Sequence, residues 1–211
     1  LMPDMEVAVE RIIKAIENKE KVMIYGDYDV DGITSITVLK KFLMERGLDA
    51  GYKIPNRLNE GYGLNKTSIE KIAKDGYKLI ITVDCGISGN AEIDLANSLG
   101  MEVIVTDHHE PLEELPNAIA VIDCKRKDNK YPFRELAGVG VVFKTGIEAP
   151  NFAASSIYKS LASESESLAS SFSTSIPEDL FSCLEILRAV RACSEGEPSL
   201  YQVAAISIAS L

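Results

Sequence analysis

The chain has 211 residues, 46% of them hydrophobic and 26% charged, which supplies the core of one α/β domain plus an extension. A formal net charge of −10 excludes a protein-wide basic field for nucleic acid, while leaving room for a local basic groove. No apolar run approaches the ~18–20 residues that span a bilayer, Leu1–Glu6 lack the basic and apolar regions of a secretory signal, and Cys85, Cys124, Cys183 and Cys193 form no CxxC pair; the expectation is a cytoplasmic protein with no membrane contact.

In chain order, Met5 to Asn18 carries Val9, Ile12, Ile13 and Ile16 at near-helical spacing, with Asp4 as its expected N-cap. Val22 to Tyr25 reads as a strand and Gly26 to Gly32 as a tight acidic loop. A helix follows over Thr34 to Arg46, with Gly47 as its stop. Ala50 to Ile54 is a short strand, Pro55 to Gly63 a loop, and Asn65 to Lys74 a helix. Lys78 to Val83 is a continuous apolar strand, as a sheet covered on both faces requires. A helix over Asn90 to Leu99 and strands over Glu102 to Thr106 and Ala118 to Ile122 complete the alternation. The expectation is an α/β fold, a parallel sheet flanked by helices on both faces, over residues 1–144.

Beyond Lys144 the character changes. Three basic residues stand against eight acidic ones, and ten Ser crowd Ala154 to Ser175. Leu180 to Ala192 has a helical apolar face. Residues 145–211 therefore read as a Ser-rich, largely helical extension.

Three apolar runs end in potential metal ligands. The first leads to Asp27, Asp29 and Asp31, the second to Asp84, and the third to Asp107, His108 and His109, the last two being the only His in the chain. Crowded carboxylates must retain protons or cations. Carboxylate oxygens suit hard ions such as Mg2+, and an imidazole shifts the preference toward Mn2+. An EF-hand is excluded, because Val38 stands at the twelfth loop position from Asp27 where a bidentate Glu is needed. The plainer alternatives are an acidic turn that caps the next helix, a strand-end Asp that caps a turn, and solvated imidazoles. In parallel sheets, however, ligands bind beyond the carboxyl ends of the strands, where all of these residues fall. Together they supply enough ligands for two ions sharing a carboxylate, an arrangement suited to phosphate-ester hydrolysis. Arg57, in the loop after the second strand, could fork onto a phosphate oxygen. Gly138-Val139-Gly140 could open a helix whose amides face an anion.

Tyr25-Gly26-Asp27-Tyr28-Asp29-Val30-Asp31-Gly32, Glu60-Gly61-Tyr62-Gly63, Val83-Asp84-Cys85-Gly86, Thr106-Asp107-His108-His109 and Ala137-Gly138-Val139-Gly140 stand in an order that resembles the DHH phosphoesterases, within them the RecJ-type single-strand-specific exonucleases. The resemblance covers residues 5–144 and implies two Mn2+ or Mg2+ ions. By motif position it implies Asp29, Asp31, Asp84 and His108 as ligands, with Asp84 as the bridge and Asp27 as ligand or supporting acid. It implies that Asp107 and His109 complete the catalytic signature, His109 meeting the scissile phosphate or orienting His108; Arg57, Glu60, Tyr62, Gly138 and Gly140 are the expected substrate contacts. Some relatives carry His where Tyr25 stands, with Asp27 expected to compensate here.

The implied activity is 5′-to-3′ hydrolysis of single-stranded DNA, with DNA repair or replication proteins as partners. The family pattern continues with a helical connector, a further metal-binding Asp and a second domain. Asp179, the only Asp after Lys144, lies in surroundings that do not match. The expectation is thus a truncated or rearranged relative, or one whose tail is unrelated sequence, with one ion weakened. Two alternatives follow from it: a catalytically incomplete binding or scaffold module, and a phosphodiesterase for short oligonucleotides.

Overall fold

In the computed structural model, residues 1–56 and 60–147 are described. The elements are α1 (Met5–Glu17), β1 (Val22–Tyr25), α2 (Val30–Glu45), β2 (Gly51–Lys53), α3 (Lys66–Lys74), β3 (Leu79–Val83), α4 (Asn90–Ser98), β4 (Glu102–Asp107), β5 (Ala120–Asp123) and α5 (Gly138–Ile147). Arg57, the Ser-rich stretch, the helix expected over 180–192 and Asp179 lie outside the described residues.

The five strands run parallel in the order β2-β1-β3-β4-β5. Helices α1, α2 and α5 cover one face. On the other, Ile69 and Ile72 of α3 and Ile93 and Ala96 of α4 pack on Met23, Tyr25, Ile80, Val103, Val105 and Val121. Strand alternation sends Ile24, Ile81 and Ile104 to the first face, and all three are buried. This explains why β1 and β3 are apolar at every position: neither face of a central strand meets water. The strand order reverses between β1 and β3, so a crevice opens above their carboxyl ends.

The elements differ from their expected limits where side chains settle the ends. Helix α2 begins at Val30, four residues before Thr34, because the extended Asp29 accepts a hydrogen bond from the Gly32 amide at 2.8 Å. Asp29 thus caps α2 through one oxygen, and Asp31 lies inside the first turn. Asp4 does precede α1, yet its backbone is left-handed and its side chain makes no cap. That carboxylate instead accepts from the Val121 amide (3.2 Å) and from Arg126 (2.6 Å), closing the free edge of β5. Strand β5 starts two residues later than expected and runs through Asp123.

Candidate metal centre

Each strand end delivers a different kind of residue. Beyond β1, Asp27 is buried under the first turn of α2, Asp29 is exposed and serves as the cap, and Asp31 is buried, 8% exposed. Beyond β3, Asp84 adopts the left-handed backbone (φ 58°), which a non-glycine residue enters only at a cost. Its amide donates to the Thr106 carbonyl at 3.0 Å, tying the turn to β4. Gly86 completes the turn at φ 108°, and a Cβ there would lie 2.6 Å from Thr82 Oγ1. A side chain at this position would therefore strain the turn that carries Asp84.

The two imidazoles part company. His108 Nε2 lies 3.0 Å from Asp84 Oδ1 and 3.6 Å from Asp31 Oδ2. His109 turns away, its ring 4.6 Å from that of His108 and 48% exposed. Its Nδ1 donates to Asp107 Oδ1 at 2.7 Å, since a carboxylate only accepts, and that bond raises the His109 pKa against the opposing effect of burial.

Asp107 is a brace. Its Oδ1 accepts from the amides of His108 (2.7 Å) and His109 (3.2 Å) as well as from the His109 ring, and its Oδ2 accepts from the Ile87 amide at 2.9 Å. Burial opposes its charge, but the His109 ring and the amides prevail and hold it below the usual carboxylate range. Three of its four bonds go to the His108 amide, the His109 amide and the His109 ring, so the geometry makes Asp107 a holder of the two His.

Tyr62 is the part of the Glu60–Gly63 segment that reaches the centre. Its hydroxyl lies 3.3 Å from the Asp84 carbonyl and 3.3 Å from His109 Nδ1. Glu60 points elsewhere, accepting from Lys53 Nζ (2.8 Å), the Asn56 amide (2.6 Å) and Ser68 Oγ (3.0 Å). Tyr25, buried inside β1, accepts from Asn65 Nδ2 and donates to the Gly63 carbonyl, pinning the other end of the segment. Gly138 and Val139 do open a helix facing an anion, but that anion is the carboxylate of Asp31. Gly140 packs beside Leu136.

One acid at the sheet's end was missed by the sequence reading. Asp123 ends β5 in register with Asp107, is fully buried, and accepts from the Lys125 amide at 2.6 Å. Burial pushes it up to about 6. The available signal was the one used for the other sites, an apolar run that ends in Asp; ending that strand at Ile122 hid it.

The donor set fits a divalent ion. Asp84, His108 and His109 each offer a ligand atom within 4.8 Å of the others. Asp84 Oδ1 and an unprotonated His108 Nε2 would face each other lone pair to lone pair at 3.0 Å, so a proton or a cation must lie between them. Burial raises the pKa of Asp84. Burial also opposes the charged form of His108, yet the carboxylates of Asp84 and Asp31 outweigh it and raise that pKa as well. Without metal the pair retains a proton, as crowded ligands do.

A parallel α/β sheet thus carries carboxylates and imidazoles at the carboxyl ends of β1, β3 and β4, a donor set that suits a divalent ion. The DHH family, N-terminal domain, is matched over residues 21–167, and the chain belongs to that family. It is 48% identical over 143 residues to the single-stranded-DNA-specific exonuclease RecJ of Bacillus subtilis (strain 168), covering 68% of this chain and 18% of the relative. Against the enzyme of that name from Escherichia coli (strain K12) it is 41% identical over 140 residues, 66% of this chain and 24% of the relative. The chain thus spans about a fifth to a quarter of the length of these relatives. Its fold is similar to a crystal structure of exonuclease RecJ bound to manganese, with TM-score 0.64 and 31% identity over 69% of this chain and 37% of that one. It is also similar to RecJ in complex with Mn2+ from Thermus thermophilus, with TM-score 0.58 and 28% identity over 69% and 20% of the two chains.

Proposed function

We propose that this chain carries the metal-binding half of a RecJ-type exonuclease site, which hydrolyses single-stranded DNA from its 5′ end with two Mn2+ or Mg2+ ions. The observation that supports it best is the convergence of Asp31, Asp84 and His108, with His108 Nε2 3.0 Å from Asp84 and 3.6 Å from Asp31. Asp84, His108 and Asp31 would hold one ion, and Asp27 and Asp29 would complete the second site with Asp84 shared. Bound there, such ions lower the pKa of water to a nucleophilic hydroxide and neutralise the phosphoryl oxygens.

The chain's own residues do the rest. Asp107 holds the His109 ring through Nδ1, and His109, half-exposed, is assigned to the scissile phosphate. The Tyr62 hydroxyl donates to the Asp84 carbonyl and lies against the His109 ring, 3.3 Å from Nδ1 and 3.4 Å from Nε2. Arg57 is assigned to the substrate phosphate. We take residues 1–144 as the phosphoesterase domain and 145–211 as an extension, working in the cytoplasm on ends produced in DNA repair or replication.

The test is release of mononucleotides from 5′-labelled single-stranded DNA as Mn2+ is titrated. Release that requires Mn2+ and disappears in Asp84→Ala supports the assignment, and no release at any Mn2+ concentration sinks it. Hydrolysis confined to oligonucleotides of a few residues would favour the short-oligonucleotide alternative. A single weak ion by calorimetry, without turnover, would favour the binding module.

A further inference from the structure

The Ala137-Gly138-Val139-Gly140 segment was read from sequence as an anion site for substrate. Its partners point to another role. The Gly138 amide donates to Asp31 Oδ2 at 2.7 Å, and the Val139 amide donates to Asp31 Oδ1 at 2.9 Å. The first two amides of α5 therefore take one lone pair from each oxygen of a carboxylate 107 residues earlier in the chain. The positive end of a ten-residue helix favours that charge. The other side of Gly138 is equally committed. A Cβ there would overlap Asp84 Oδ1 and lie 2.9 Å from Asp84 Cγ, although the backbone needs no positive φ. Gly138 thus touches both carboxylates that flank His108, Asp31 through its amide and Asp84 across its bare Cα.

We infer that Gly138 is a positioning residue: with the Val139 amide it clasps Asp31, while its missing Cβ leaves the space that the Asp84 carboxylate occupies, and so it sets the gap between the two carboxylates that flank His108. The inference rests on the metal reading of the site. It withdraws the amides of α5 from the substrate, since an amide already bonded to a buried carboxylate is unavailable to a phosphate oxygen. The clasp is an outer support of the ligand set, and loss of such a support costs roughly 10–100-fold in metal affinity.

The experiment uses the whole chain and has two readings. First, amide hydrogen exchange is followed at Gly138 and Val139 without metal. Slow exchange that becomes fast in Asp31→Asn supports the clasp; fast exchange in the unaltered chain overturns it, whatever the protein does to DNA. Second, Mn2+ is titrated into the unaltered chain and into Gly138→Ala by calorimetry, with melting temperatures measured alongside. At a retained fold, a fall of roughly tenfold or more in Mn2+ affinity is expected. Unchanged Mn2+ affinity, with only the KM for single-stranded DNA raised, overturns the clasp in favour of a substrate site. If the unaltered chain binds no Mn2+, the metal reading fails, and the exchange data alone still decide the clasp.

Discussion

Replacing Asp107 with Asn should cost more stability than its isosteric shape suggests. The carboxylate accepts four hydrogen bonds: from the Ile87 amide (2.9 Å), the His108 amide (2.7 Å), the His109 amide (3.2 Å) and His109 Nδ1 (2.7 Å). In Asn one oxygen becomes an NH2, so in either orientation a donor faces a donor. The cheaper orientation orphans the Ile87 amide, and Ile87 is 2% exposed. An orphaned buried donor costs ~1–3 kcal/mol, and the loss of negative charge weakens the remaining bonds by ~1 kcal/mol, so the expected total is roughly 2–4 kcal/mol. Urea unfolding would show this as a fall in midpoint of about 1–2 M, with the surface change Asp75→Asn as control.

The pH dependence carries a second signature. The folded-state pKa of Asp107 is depressed, so its contribution is present above the unfolded value of ~3.9 and is lost as pH falls through the folded value. Asp107 also raises the pKa of His109, whose contribution is present below the unfolded value of ~6.5 and lost as pH rises through the folded value. The gap between the unaltered chain and Asp107→Asn should therefore be widest between about pH 4 and 6.5 and narrow on either side. A gap below about 1 kcal/mol at pH 6 would refute the brace.

Two further outcomes follow from the same groups. Lys53, then the Asn56 amide, hold Glu60 down at about 2 instead of 4.5, so its contribution is present above 4.5 and is lost as pH falls through about 2. The Asn56 amide proton should report this by NMR with a midpoint near 2, and a midpoint near 4.5 would show that the Lys53–Glu60 contact does not form in solution. His108 in the metal-free chain holds its proton up to about 9, burial opposing and Asp84 prevailing; its contribution to stability is present below 6.5 and lost as pH rises through about 9. Mn2+ must displace that proton, so its affinity should rise up to about tenfold per pH unit between pH 7 and 8.5, with proton release measured by calorimetry in buffers of different ionisation enthalpy; no proton release would refute the placement of His108 at the ion.

Much of this was legible along the chain. Continuous apolar runs such as Leu79–Val83 belong to strands covered on both faces, and the acids and imidazoles that follow β1, β3 and β4 fall at the ligand-binding end of a parallel sheet. Asp27, Asp29 and Asp31, however, look alike on the page. Their different fates depend on the first turn of α2, which uses Asp29 as a cap and swings Asp31 inward. Asp123 was lost to a strand boundary misplaced by one residue, since β-propensity does not distinguish the last paired residue from the first unpaired one.

The alternation of elements and the kinds of side chain at each strand end can be read along the chain, because periodicity and residue chemistry are local properties. Which of these groups keeps lone pairs free, and which is bonded to the protein, depends on tertiary contacts. Asp107 was spent on holding His109, Glu60 on Lys53 and Ser68, and the amides of α5 on Asp31. The reason is that a polar atom's role follows from which of its lone pairs or protons remain free. For Asp31 that is settled by two amides more than a hundred residues away, beyond the reach of any local spacing.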